Sequence, residues 1–303
     1  MTLRRRHLLL AASAACARAA PVRAQSEEKI EIAGSRIVLI TEPGFSAAQA
    51  AEFRAWVQQA AAAVVGYLGR FPRARCELQL QRVAGRGVRG GTTFPDPEPW
   101  IRVRLGEDTG AFELRHDWVL VHEMIHLAVP RVPRVQNWLH EGMATYVEGV
   151  ARVRAGLNTA PRLWAELVRG LPQGQPQAGD KGLDHTPTWG RTYWGGTLFC
   201  LLADVKLLEH SQTRLGLREA LQGLLAAGGS YAEAWPVRRI LDTADRALGQ
   251  HGLIDLYEAM KDSAEPVDLA ALWRRLGVAA ETGQPARLDD TAPMAPVRRA
   301  IAA

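Results

Sequence analysis

Acidic residues are missing from the start of this 303-residue chain: residues 1–24 hold five arginines (Arg4, Arg5, Arg6, Arg18, Arg23) and no Asp or Glu. Arg4–Arg6 are followed by the short apolar run Leu8–Leu10 and Ala11–Ala17, and then by Val22-Arg23-Ala24, a small-x-Ala pattern before Gln25. A basic head, an apolar stretch and a cleavable end form an export leader, too short for a stable membrane span. The expected location is therefore periplasmic or extracellular, by the general or the twin-arginine route, with cleavage after Ala24. A lipoprotein reading of Cys16 fits poorly, because Ser13 stands where a leucine is expected.

Net charge is the second absence. The whole chain carries 37 Lys and Arg against 32 Asp and Glu; taking the five leader arginines from 37 leaves 32, so residues 25–303 are neutral overall. A basic pI invites a nucleic-acid reading, but here the excess belongs to the leader, and no nucleic-acid partner is expected. No apolar run after the leader reaches the roughly 20 residues that cross a bilayer. Cysteine is scarce as well. Only Cys76 and Cys200 follow the leader, too few for a disulfide framework; an oxidising compartment permits one bridge between them, and two buried thiols is the other reading. Only four lysines occur, which carries no functional meaning, and there is no internal repeat.

Residues 30–40 (IEIAGSRIVLI) predict a hairpin around Gly34-Ser35, and Ser46 caps a helix that ends at Gly69 and Pro72. RCELQLQRV (75–83) and WIRVRL (100–105) alternate as half-buried strands, whereas GRGVRGGTTFPDPEP between them predicts irregular structure. A helix is expected from Ala111 to Val129, stopped by Pro130 and Pro133, and another from Asn137. Residues 170–190 predict a long loop; residues 193–226 and 231–277 predict helix, with a frayed tail beyond Glu281. Strands first and helices afterwards imply an α+β fold: a small mixed sheet packed on the helix at 122–126, then a mostly helical C-terminal half. The expected divisions are leader 1–24, catalytic α+β region 25–190, and helical region 191–303 completing a cleft.

Residues 122–126 read HEMIH. On a helix, positions i and i+4 lie about 40° apart around the axis and one turn along it. His122 and His126 can then reach one tetrahedral zinc ion, and Glu123 falls beside the metal in the position of a general base. Chance alone would produce such a pentapeptide in roughly one chain in a hundred of this composition, and two core histidines is the bland alternative. The context favours the metal, since a carboxylate, Glu141 in NWLHEGMATYVEG, follows on the next predicted helix.

HEMIH followed by WLHEGMATYVEG resembles the gluzincin zinc metallopeptidases, the thermolysin and aminopeptidase N lineage, and most closely their compact peptidase MA-like domain. The resemblance spans roughly residues 46–225 and rests on about thirty. It implies Glu141 as third ligand to one zinc ion per chain, although the 14 residues between His126 and Glu141 are fewer than in aminopeptidase N relatives. YWGGTLFCLL (193–202) resembles the segment whose tyrosine binds the oxyanion in that lineage, which implies that role for Tyr193; His185 is a weaker candidate. WIRVRL would be the edge strand along which a peptide docks. One departure stands out: the Gly-x-Met-Glu-Asn element that grips a substrate's free amino terminus is missing. GGTTFPDPEP occupies its place, with Asp96 and Glu98 as the available acids.

The expected activity is hydrolysis of peptide bonds in a peptide or protein substrate, with Glu123 as base. Two rivals remain open at this level: a non-catalytic, zinc-stabilised envelope protein that binds peptides, and a zinc hydrolase of a non-peptide amide or an epoxide. His140 and Thr145 are expected to pack or line the rim, and His116 to point away from the zinc. Nothing in the sequence specifies an oligomeric state.

Overall fold

The computed structural model describes residues 25–303; the leader lies outside the described residues. Strands β1 (Ser26–Ile32) and β2 (Ser35–Thr41) form the expected hairpin. Its two-residue turn has positive φ at both Ala33 (47°) and Gly34 (78°), the backbone twist that matches flanking strands. Helix α1 (Ala47–Leu68) starts at Ser46, whose hydroxyl accepts from the Gln49 amide while the Gln49 side chain accepts from the Ser46 N–H. It stops at Gly69, where φ is 77°.

Strands β3 (Arg75–Val83), β4 (Val88–Phe94) and β5 (Trp100–Gly106) complete a mixed five-stranded sheet in the order β1-β2-β3-β5-β4. β2, β3 and β5 run parallel, and β4 returns antiparallel on β5. Two expectations are corrected here. WIRVRL is an interior strand, paired on both sides, and the edge is β4. The glycine-rich stretch expected to be irregular supplies that edge. Alternation reports which face of a strand is buried, and Ile101, Val103 and Leu105 are indeed fully buried, but it does not report a strand's place in the sheet. Gly90-Gly91 has no pattern of its own; pairing with β5 makes it a strand.

The predicted helix over 111–129 is broken into α2 (Ala111–Arg115) and α3 (Val119–His126). Asp117 causes the break. Its carboxylate accepts from the N–H groups of Val119 and Leu120, both at 3.0 Å, and from the Trp56 indole at 3.2 Å, so a new helix starts there. All eight residues of α3 are buried, and the helix contacts α1, α4 and strands β4 and β5.

Helices α4 (Asn137–Arg154) and α5 (Ala160–Gly170) follow, then the long loop. The loop is tied down. Asp184 accepts from Trp138 Nε1 (2.8 Å), Gln136 Nε2 (2.6 Å) and the Tyr257 hydroxyl (2.7 Å), and Asp180 faces Arg191 in a buried ion pair at 2.9 Å. A π-helical turn, Arg191–Gly195, leads into α6 (Gly196–His210). The C-terminal half is helical but more divided than its sequence suggests: α7 (Leu217–Ala226), α8 (Val237–Leu248), α9 (Gly252–Met260) and α10 (Leu269–Leu276). The tail is not frayed. After a two-residue ladder between β6 (Val278–Ala279) and β7 (Arg287–Leu288), α11 (Ala295–Ala302) buries Val297 and Ile301. One apolar core runs from Ile30 through to Ile301. Cys76 and Cys200 are both free and buried, so they do not pair. Among the described residues no helix is long and apolar enough to cross a membrane.

Candidate metal centre

The helical period places His122 and His126 one turn apart on α3, their rings edge to face with centroids 4.7 Å apart. Pro130 and Pro133 end that run and let α4 fold back beside it, which brings Glu141 to the two rings. His122 Nε2 lies 3.4 Å and His126 Nε2 3.6 Å from Glu141 Oε2. One donor atom from each of the three residues falls within 4.8 Å of the others, the one such group of His, Cys, Asp and Glu among the described residues.

Two imidazoles and a carboxylate are a donor set that zinc prefers. Bonds of about 2.0–2.1 Å in a tetrahedron hold donors about 3.3 Å apart, and 3.4 and 3.6 Å come close to that spacing. Both Nδ1 atoms are buried without a protein partner, and both Nε2 atoms face the Glu141 carboxylate. Burial, with His140 and His122 nearby, keeps the His126 pKa well below its usual value, leaving a neutral ring with a lone pair to give. Burial works to raise the Glu141 carboxyl, but the His122 hydrogen bond and charge outweigh it and hold its pKa below the usual range; Asn137 Nδ2 donates to its other oxygen at 3.3 Å. The residues fit the ion.

Glu123 sits beside this group with its pKa raised by burial, an effect partly offset by Thr93. The Thr93 hydroxyl lies 2.7 Å from Glu123 Oε2 and 2.9 Å from the Glu123 carbonyl; having one proton, it donates to one at a time. Strand β4 also presses on Glu123 directly. A Cβ at Gly91 would come within 2.4 Å of Glu123 Cγ, so only glycine fits there. Tyr193, half-buried in the π-turn, faces the carboxylates; burial and then Glu141 and Glu123 push its phenol up to about 12.

Other candidates fall elsewhere. His140 stacks on His126 at 4.5 Å, nearly parallel, and burial drops its pKa to about 4, so it packs behind His126 as a neutral ring. His185 pairs with Asp262 at 2.7 Å on the surface, away from the site. Glu98 pairs with Arg73 at 2.7 Å, and with Asp96 it lines a separate hollow. His116 is exposed on α2, and Thr145 lines the cleft. Three neighbours of the site carried no signal in the sequence: Gly91, Thr93 and Tyr231. Tyr231 follows α7, lies tilted against His140 with ring centroids 4.9 Å apart, and its hydroxyl donates to the Thr93 carbonyl at 3.4 Å.

The fold is like that of M1 zinc metallopeptidases of known structure. The fold is similar to that of the aminopeptidase N family protein from Idiomarina loihiensis, with a TM-score of 0.60 at 16% identity over 84% of this chain. It is also similar to the M1 zinc metallopeptidase from Deinococcus radiodurans, with a TM-score of 0.51 at 14% identity over 80% of this chain. The chain spans about half the length of each, 49% and 54%. No family model matches the chain, and no curated protein matches its sequence.

Proposed function

We propose that this chain is an exported, zinc-dependent metallopeptidase of the gluzincin type, one zinc per chain, acting on peptide or protein substrates. The observation that carries the reading is the convergence of His122, His126 and Glu141 beside a buried, oriented Glu123. The fold likeness supports it: a mutant form of the Deinococcus radiodurans enzyme is known bound to a Tyr-Ser-Ala substrate. Export rests on the leader sequence at 1–24.

His122, His126 and Glu141 would hold the ion. A zinc ion held there would lower the pKa of a bound water towards about 7 and polarise the scissile carbonyl. Glu123 accepts the proton of the attacking water, with Thr93 aiming its carboxylate, and delivers that proton to the leaving amine. The raised affinity of Glu123 for a proton suits the first task, since a stronger base takes the proton more readily, and the leaving amine is basic enough to take it back. Tyr193 donates a hydrogen bond to the carbonyl oxygen as negative charge develops on it.

Replacing Glu123 with Gln keeps size and polarity but removes the base. Zinc content should stay unchanged while peptide turnover falls by about 10²–10⁴. Unchanged turnover with zinc still bound would refute the mechanism.

A further inference from the structure

The cleft around Glu123 consists of two connected hollows. One, about 650 Å³, reaches from Glu123 towards Trp118, Trp189 and Trp194; the other, about 340 Å³, extends across the metal ligands to Tyr231. They share Gly91, His122, Glu123 and Tyr193, so the space continues on both sides of the reacting centre. Strand β4 borders both, and no strand among the described residues pairs on its outer side.

The charges lining this cleft are few. Among the described residues its lining carboxylates are Glu123 and Glu141, both already engaged; in the loop after β4, Glu98 pairs with Arg73, and Asp96 lines a different hollow, near enough to help raise the Tyr231 phenol. A substrate ammonium would find no free carboxylate among the side chains that line the cleft. The larger hollow is instead aromatic. Trp118 (51% exposed) and Trp189 (62%) are two of the few large apolar side chains that the described surface shows to solvent, and both flank it. Exposed aromatic surface lining a cleft marks a place where apolar groups bind. The third wall is rigid: a Cβ at Gly170 would fall 2.1 Å from the Trp194 ring, so that ring is seated against bare backbone.

Resting on the peptidase reading above, we infer that the cleft takes an internal stretch of peptide chain, with a large apolar or aromatic side chain lodged among Trp118, Trp189 and Trp194 beside the scissile bond, and does not require a free chain end. Arg89 at the mouth of the same hollow is the only Lys or Arg lining the cleft, so dependence on a free carboxylate needs its own control.

The test uses purified, zinc-loaded protein and decapeptides with a central Phe or Asp, each made with free ends and with acetylated and amidated ends. The blocked Phe peptide should be cut internally, next to Phe, within about threefold of the rate for its free-ended twin. The Asp peptides should be at least about tenfold slower. Trp189→Ala should shrink the Phe-to-Asp ratio about fivefold or more with zinc content unchanged. Stepwise loss from either end, or cleavage of free-ended peptides alone, overturns the inference, as does equal cutting of Phe and Asp peptides. If no peptide is cut, the peptidase reading fails separately, and tryptophan fluorescence titration decides the cleft: about tenfold tighter binding of the blocked Phe peptide than of the Asp peptide upholds it, and equal binding overturns it.

Discussion

At the scale of single residues, this site works by confining a few polar groups where water is scarce. Glu123 is buried yet keeps a hydroxyl donor on one oxygen, and Tyr193 holds its proton because burial and two carboxylates oppose ionisation. A phenol that stays protonated can serve as a donor across the neutral pH range. Tyr193→Phe should therefore lower kcat by roughly 10²–10³ with KM little changed and zinc retained. Steady-state kinetics beside metal analysis would check it; an equal loss in zinc occupancy would make the tyrosine a support of the ligands. His122, Glu123 and His126 were legible in the sequence because helical spacing puts such residues on one side of a helix, and Glu141 because WLHEGMATYVEG resembles the ligand helix of the gluzincins. Thr93 was not, since its role comes from where β4 lies.

At the scale of elements, the site depends on how closely two helices approach. Gly142 follows Glu141, and a Cβ there would fall 2.2 Å from the Gly196 backbone; a Cβ at Gly196 would strike the Trp138 carbonyl at 2.0 Å. Helices α4 and α6 thus cross on bare backbone, which draws Glu141 and the turn carrying Tyr193 together. Gly142→Ala should destabilise the protein by about 1–3 kcal/mol or more, because the obstacle is backbone and cannot rotate away. Gly66→Ala in α1, where a Cβ would meet open space, should instead stabilise it by about 0.5–1 kcal/mol. Urea midpoints of the two variants test the pair. The π-turn at Arg191–Gly195 belongs to this scale too, an irregularity of the kind often found at functional sites. The sequence reads there only as the opening of a helix.

At the scale of the whole molecule, one continuous core joins the sheet to the helical half, and buried polar groups stitch it. Asp204 on α6 accepts from the Tyr146 hydroxyl on α4 and from the Leu217 N–H at the start of α7, both at 2.8 Å. Burial nevertheless raises its pKa from 3.8 to about 6. The folded protein therefore holds the Asp204 proton more tightly than the unfolded chain does. That contribution is full below about pH 4 and is lost as pH rises through about 6, on the order of 3 kcal/mol in all. Asp204→Asn does not titrate and can keep the Leu217 bond through its carbonyl. The stability difference should accordingly shift in favour of the variant between about pH 4 and 7. Denaturant melts of both proteins at several pH values would show it; a difference flat with pH would place the Asp204 proton elsewhere.

Local chemistry reached far along this chain. The hairpin at Ala33-Gly34, the Ser46 cap, the α+β order and the metal-binding spacing all follow from contacts within a few residues, which any window of sequence contains. Tertiary structure decided what involves partners distant in the chain. It made the glycine-rich stretch an edge strand by pairing it with β5, and used the Asp117 carboxylate to start α3 afresh. It packed α11 against the core. It also brought Thr93 and Tyr231 to a centre whose His122, His126 and Glu141 lie between them in sequence. Periodicity encodes which face is buried; only the fold determines what that face meets.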